Sequence, residues 1–422
     1  MSVKHRTWET LFSVVLVLAM VFGVLPVQTA HAEAATVFVR TGGDDVNCNG
    51  SADVDFDAAV APACALKTVQ KGIELAVAGD TIQVAAGEYV ESGQILITKN
   101  LTILGAGKDV TIIKPAQDTG SSGDSQAWIA SDDNVNFVLK HVTLDGEGKN
   151  IFRGLRLRGT ARLEDNIIKN ISYPGYMGIA ISLGRGAIAD ASFEIVGNTI
   201  SGYGRVGIHV QQAAFQTTAL IENNTIIGKG TGDWVNYAVE VESGAGATIT
   251  RNMISNNLGV ASTDGSGSAG LLATTYFAPG TNVALTENVF DNNTQALAIG
   301  YLENDTTTTA ITHNNFANNE YTIVSTGSPV NAIANYWGDT DAAAIGAKVY
   351  GPVSYAPWLC SGTDTDANTP GFQPDTTCQQ PLPTLTIASK VISAAMVKRP
   401  MCSRLQFTRT TPECPLISRS ML

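Results

Sequence analysis

An all-β solenoid of short strands stacked coil upon coil is the fold class this sequence predicts, and three observations carry it. One hexad recurs: an apolar residue, two mostly polar ones, an asparagine, any residue, then an apolar one. Its copies centre on Asn166, Asn198, Asn224, Asn252, Asn288 and Asn314, as in Ile249-Thr-Arg-Asn252-Met-Ile254, with a degenerate last copy at Asn335. Successive asparagines lie 32, 26, 28, 36, 26 and 21 residues apart, too irregular for a strict hexapeptide solenoid and too short for propeller blades. Coils with loops of variable length fit that spacing. Between the asparagines runs a period-two alternation, as in Gly207-Ile-His-Val-Gln211 and Ala238-Val-Glu-Val-Glu242, which marks strands with one face buried. Such a coil buries its apolar face only when another stacks on it.

Parallel stacking sets equivalent residues about 4.8 Å apart, so the asparagines form a column at one corner. A buried turn leaves backbone N–H and C=O groups without partners, and an amide side chain offers both a donor and an acceptor to them. The seven asparagines, Asn166 to Asn335, are therefore read as a structural ladder.

These residues resemble the right-handed parallel β-helix family with pectin-lyase-like topology, including its internal asparagine ladder. The resemblance extends over about Thr36 to Leu359. It includes the opening Cys64-Ala-Leu-Lys-Thr-Val-Gln-Lys-Gly-Ile73 and the closing Asn335-Tyr-Trp-Gly338 and Tyr355-Ala-Pro-Trp-Leu359. It implies a single-stranded right-handed helix of about ten coils, capped at its N-terminal end. The secreted bacterial members of the family are the nearest in these closing motifs.

In chain order, residues 1–34 read as a secretory signal peptide: a basic start (Lys4, Arg6), an apolar run Leu11–Val27, and small residues ending at Ala30-His31-Ala32. A membrane anchor is the alternative; no later stretch is apolar for long enough to span a bilayer. The β-helix domain is placed at 35–359, with its cap at 35–80. Within the cap, Leu66 to Ala78 carries Val69, Ile73 and Val77 on one face, which suits a short amphipathic helix covering the first coil. In an oxidising compartment Cys48–Cys64 and Cys360–Cys378 are expected as two local disulfides, with free thiols as the other reading. The loop Asp45, Asn47, Asn49, Asp53 begins like a calcium loop, yet Phe56 stands where the bidentate glutamate belongs. Calcium is thus a weak candidate cofactor, and no other metal or cofactor is indicated. Thr119 to Asp133 reads as a loop excursion. A Pro/Thr/Asp-rich linker follows at 360–384, then a basic tail at 385–422, read as a misread or truncated end or as a genuine interaction tail.

The net charge of −12 argues against nucleic acid as a partner and suits a soluble, exported, monomeric protein. Aligning the second strand of each coil gives two outward columns: Arg156, Ala180, His209, Glu240, Leu272, Ala298, and Arg158, Ser182, Gln211, Glu242, Thr274, Gly300. Tyr173, Tyr176, Tyr203, Trp234 and Tyr237 stand in the loops leading into these strands. Aromatic faces with charged and amide groups between them suit a polysaccharide or cell-surface glycan. Arg156, His209, Glu240 and Glu242 are the catalytic candidates, and the backbones of the two glutamates, about 6.6 Å apart, leave room for the carboxyl separation of about 6.5–9.5 Å that an inverting hydrolase needs. The hydrolase aspartate triad and the lyase arginine and calcium-aspartate segments of the resembled family find no match. The chain is accordingly read as a secreted or cell-surface β-helix that binds polysaccharide. Lyase or hydrolase activity is an addition without motif support, and a structural or adhesive surface protein is the alternative.

Overall fold

The computed structural model describes residues 34–175 and 177–381. The segment up to Glu33, where a signal peptide is expected, Tyr176, and the chain from Leu382 onward, including the basic tail, lie outside them. Three parallel sheets of 10, 8 and 10 strands make up the fold. Sheet 1 runs from Thr36–Val39 to Thr308–Thr312, sheet 2 from Gly87–Glu91 to Val289–Asp291, and sheet 3 from Ile95–Ile97 to Val349–Tyr350. One coil contributes a strand to each sheet in turn: Ala191–Val196 to sheet 1, Thr199–Ser201 to sheet 2, Val206–Gln211 to sheet 3. The next coil pairs with all three in parallel register. This is the predicted β-helix. Its interior is a column of small and branched apolar side chains, among them Ile208, Val210, Val239, Val241, Leu271 and Ala273, all fully buried.

The ladder forms over its whole length. Each asparagine offers its Oδ1 to both the backbone N–H and the side-chain amide of the one before it, as Asn224 does to Asn198 at 2.9 and 3.0 Å. The last such acceptor is Asn335, facing Asn314. The residue preceding every ladder asparagine has a left-handed backbone: Asp165, Gly197, Asn223, Arg251, Glu287, His313 and Ala334, with φ between 52° and 69°. The corner turns there, and the ladder amides hold the turn at a conformation that costs an L-residue about 1–2 kcal/mol.

A second, shorter ladder lies five residues further on, where Asn257, Asn293 and Asn319 repeat the same bonding. Its sequence signal is the recurrence of asparagine at that offset after Asn252, Asn288 and Asn314. At its head the Tyr203 hydroxyl donates to Asn257 Oδ1 at 2.6 Å, and Tyr203 is buried. Tyr203 is therefore a core residue and does not rim a groove.

Both ends of the solenoid are covered. At the N-terminal end a helix, Val69–Leu75, buries Val69 and Ile73. Thr68 caps it through Lys71 N–H, and the buried Glu91 carboxylate accepts from Val69 and Gln70 N–H at 2.7 and 3.0 Å. The helix stops before Val77, which is 61% exposed, so only two of the three expected apolar positions pack. At the other end Phe290, Phe316, Trp337, Tyr355 and Trp358 stack ring against ring at 5.4 to 6.1 Å. Cys48–Cys64 and Cys360–Cys378 are both disulfides.

Two expectations are corrected. The excursion from Thr119 ends at Gln126, since Ala127–Ser131 is a fully buried strand of sheet 3. The stretch read as a linker is folded up to residue 381: Gln379–Gln380 pairs antiparallel with Trp358–Leu359, and the buried Phe372 donates its N–H to Glu287 O. The second disulfide closes this loop, whose backbone meets the ladder corner at Glu287. No helix among the described residues is long and apolar enough to cross a membrane.

Candidate functional site

The pairing of sheet 3 fixes which side chains share its outward face. Arg156, Ser182, His209, Glu240, Leu272 and Ala298 occupy one column, and Gln211, Glu242 and Thr274 another. Ser182 thus stands where the sequence alignment puts Ala180, and Ala180 is fully buried in the core. That alignment sets Gly154, Gly178 and Gly207 on one rung, whereas the register pairs Ile179, the residue after Gly178, with Arg153 and Val206. The strand therefore enters two residues later than its glycine suggests.

Near the middle of this face three predicted residues converge. His209 Nε2 and Glu242 Oε1 are 2.9 Å apart, and both side chains are almost entirely buried. Glu240 is the rung partner of His209 and is half-buried. The ligand atoms of all three lie within 4.8 Å of one another. The hydrogen bond thus runs diagonally across the rung, to Glu242 and not to Glu240. A carboxyl separation this short is below the inverting spacing of about 6.5–9.5 Å, so that expectation does not hold. Burial raises the Glu240 carboxyl above its ordinary range, His209 opposes the rise, and the neighbouring Glu242 adds to it. The Glu240 carboxylate makes no hydrogen bond or ion pair among the described residues, and His209 Nδ1 is buried without a partner.

Arginines surround the cluster without closing on it. Arg153, which the sequence reading does not single out, is buried, donates to Ser182 Oγ at 3.0 Å and lies over the Phe152 ring at 5.5 Å. Burial, with Arg185 and Arg156 nearby, brings its guanidinium down to about 10. Arg156 turns to Asp124, and Arg158 to Asp132 and Asp133, so both predicted arginines are held by acids of the preceding coil. Gln211 accepts from Arg185 at 2.8 Å.

The predicted aromatic rim separates into different roles. Tyr173 packs edge-on against Phe152. Trp234 donates to Gly230 O and Leu258 O under the Lys229 ammonium, which fixes its own loop. Tyr237 does face the site. It lines a cleft together with Arg205, Glu240, Leu272, Gln295 and Tyr301, and burial pushes its hydroxyl up to about 12. Sequence reasoning missed the continuation of this cleft: Tyr301 packs edge-on with Tyr276, and Tyr276 with Phe277, at 4.8 and 4.9 Å. Tyr276 is 43% and Phe277 54% exposed. The legible signal was position, since Tyr276 follows the strand Ala269–Thr274 and Tyr301 follows Gln295–Ile299 by two residues each.

The calcium loop does not assemble. Asp45 accepts from Thr68 Oγ and from Lys67 and Thr68 N–H, Asn47 donates to Asp44, Asn49 accepts from Ser51 N–H, and Asp53 pairs with Arg40. Each ligand candidate is committed to a different local partner.

Residues 153–336 match the family model for the right handed beta helix region. The chain is a right-handed parallel β-helix protein. The match and the three parallel sheets agree on this fold. Similar solved structures include a pectin methylesterase from carrot, 13% identical, covering 79% of this chain and 91% of that one at a TM-score of 0.44. Rhamnogalacturonan lyase is 14% identical, covering 76% and 88% at 0.32, and pectate lyase Pel9A is 11% identical, covering 80% and 82% at 0.33. No curated protein matches the chain in sequence. At such identities and scores these likenesses say nothing of this β-helix's chemistry.

Proposed function

We propose that this β-helix is an exported protein that binds polysaccharide along the outward face of sheet 3. The observation that carries the reading is one continuous surface: the cleft holding Tyr237, Glu240 and Tyr301, extended by the exposed edge-to-face cluster of Tyr276 and Phe277. Sugar rings present C–H faces that rest on aromatic rings and hydroxyls that bond carboxylates and guanidinium groups. The cleft supplies both within one stretch of coils. The stretch from the Arg153 strand to the Gln295 strand contains six successive rungs, about 24 Å along the axis, which is long enough for several sugar units. Two disulfides support export, because such bonds persist in oxidising compartments.

A glycan array probed with the chain tests this reading. Retention on a polysaccharide that is lost in Tyr276→Ala and weakened in Tyr237→Phe is the expected result. Release of reducing or unsaturated sugars from the retained glycan would add cleavage to binding. No retention on any glycan overturns the proposal and leaves a structural or adhesive surface protein.

A further inference from the structure

The geometry points to a divalent transition-metal site formed by His209, Glu240 and Glu242. Three side chains from two adjacent strands bring one imidazole nitrogen and two carboxylate oxygens within 4.8 Å of one another. Three protein ligands with further positions left for water or an oxygen donor are the usual composition of an open metal centre. Among the described residues this is the one group of three or more histidine, cysteine or carboxylate side chains placed so.

The surroundings favour a cation over a further protein partner. His209 and Glu242 are buried, so their charges are poorly compensated by solvent. The Glu240 carboxylate, beside them, has neither a hydrogen bond nor an ion pair among the described residues. On the rungs beyond Glu240 the column continues as Leu272 and Ala298, which supply no positive charge. On the other side the guanidinium of Arg153 is directed to Ser182 Oγ, and that of Arg156 to Asp124. Arg205 lines the same cleft as Glu240 and acts on it only through space, so two carboxylates sit together with no cationic side chain bonded to Glu240 among the described residues.

The donor set also selects the metal. Imidazole suits zinc, copper, iron and nickel, whereas calcium takes six to eight oxygens and magnesium keeps a near-octahedral oxygen shell. One imidazole and two carboxylates therefore fit a zinc-like ion. The site does not depend on the polysaccharide reading, because its ligands are complete without a sugar.

Chelator-treated full chain titrated calorimetrically with Zn2+ alone tests the site, with Co2+ absorption as a second readout. Saturable one-to-one binding is expected. Glu240→Gln and His209→Gln should each weaken it by more than about tenfold, the loss that even an outer-shell partner can cause. Glu240→Gln is the decisive variant, because Glu240 is only half-buried and the change conserves its shape. His141→Ala, which alters a partly exposed imidazole elsewhere, should leave the affinity unchanged. No one-to-one binding by the wild-type chain, unaltered affinity in Glu240→Gln, or equal loss in His141→Ala would each overturn the assignment. Displacement of Zn2+ by equimolar Ca2+ would overturn the metal class. Since no glycan is present in the titration, its failure is separate from failure of polysaccharide binding.

Discussion

Replacing Asn252 by leucine removes one rung of the ladder with little change in volume, and the structure sets what is lost. Asn252 Oδ1 accepts from Asn224 N–H at 2.9 Å and from Asn224 Nδ2 at 3.0 Å. Its own amide donates to Ile221 O, Thr250 O and Asn288 Oδ1 at 2.8 to 2.9 Å. Asn224 Nδ2 keeps Ile195 O as an acceptor, and Asn288 Oδ1 keeps the Asn252 N–H. The Asn224 backbone N–H has no second acceptor. Orphaning that buried donor costs about 1–3 kcal/mol, and the two carbonyls lose a donor as well. The leucine side chain recovers part of this by its apolar burial, so a net loss of about 2 kcal/mol is expected. Denaturant unfolding followed by tryptophan fluorescence reads it as a lower midpoint with an unchanged slope. Asn282→Ala, at an exposed position bonded only to Gly280 O, should stay within about 0.5 kcal/mol of wild type. An Asn252→Leu midpoint equal to that of Asn282→Ala would refute the energetic role assigned to the ladder.

Three further outcomes follow from particular residues. Glu91→Ala should destabilise by about 1–2 kcal/mol, because Val69 and Gln70 N–H lose their acceptor; hydrogen exchange should quicken over Val69–Leu75, and unchanged protection there would count against the capping role. His313 holds φ 60°, so His313→Gly should stabilise by up to about 1 kcal/mol after the entropy that glycine adds to the unfolded chain; a lowered denaturant midpoint would show that its side chain contributes more than the strain it bears. Lys140 and then Arg162 hold the Glu164 carboxyl at about 2 against an ordinary 4.5, so its contribution is complete above about pH 4.5 and is lost as pH falls toward 2. Glu164→Gln should flatten that part of the acid stability curve by under about 1 kcal/mol, since the pair is partly exposed, and an unaltered slope would reject the linkage.

The aromatic loops show where sequence reading loses its grip. Tyr203 and Trp234 each stand three residues before a strand and Tyr237 opens one, yet one bonds a buried asparagine, one fixes a loop, and one faces the cleft. Loop lengths between coils vary, so local position does not fix the direction of a ring. The column assignment failed at Ala180 for a related reason: a glycine marks a turn but not the rung on which the next strand begins. His209, Glu240 and Glu242 were legible because each lies on an alternating strand, where period two fixes the face.

By itself the sequence determined the coil, its ladder asparagines and the apolar interior, because those features repeat and each repeat obeys the same local requirement for buried amides and one-sided strands. It also carried both disulfide pairs as expectations, since each closes a local loop. Only the tertiary structure decided which outward side chains meet. The diagonal His209–Glu242 contact, the approach of the Glu240 carboxylate to that pair and the Tyr301–Tyr276–Phe277 cluster arise from register between separate coils. A shift of two residues in any one strand, which leaves its buried pattern intact, would assemble a different set.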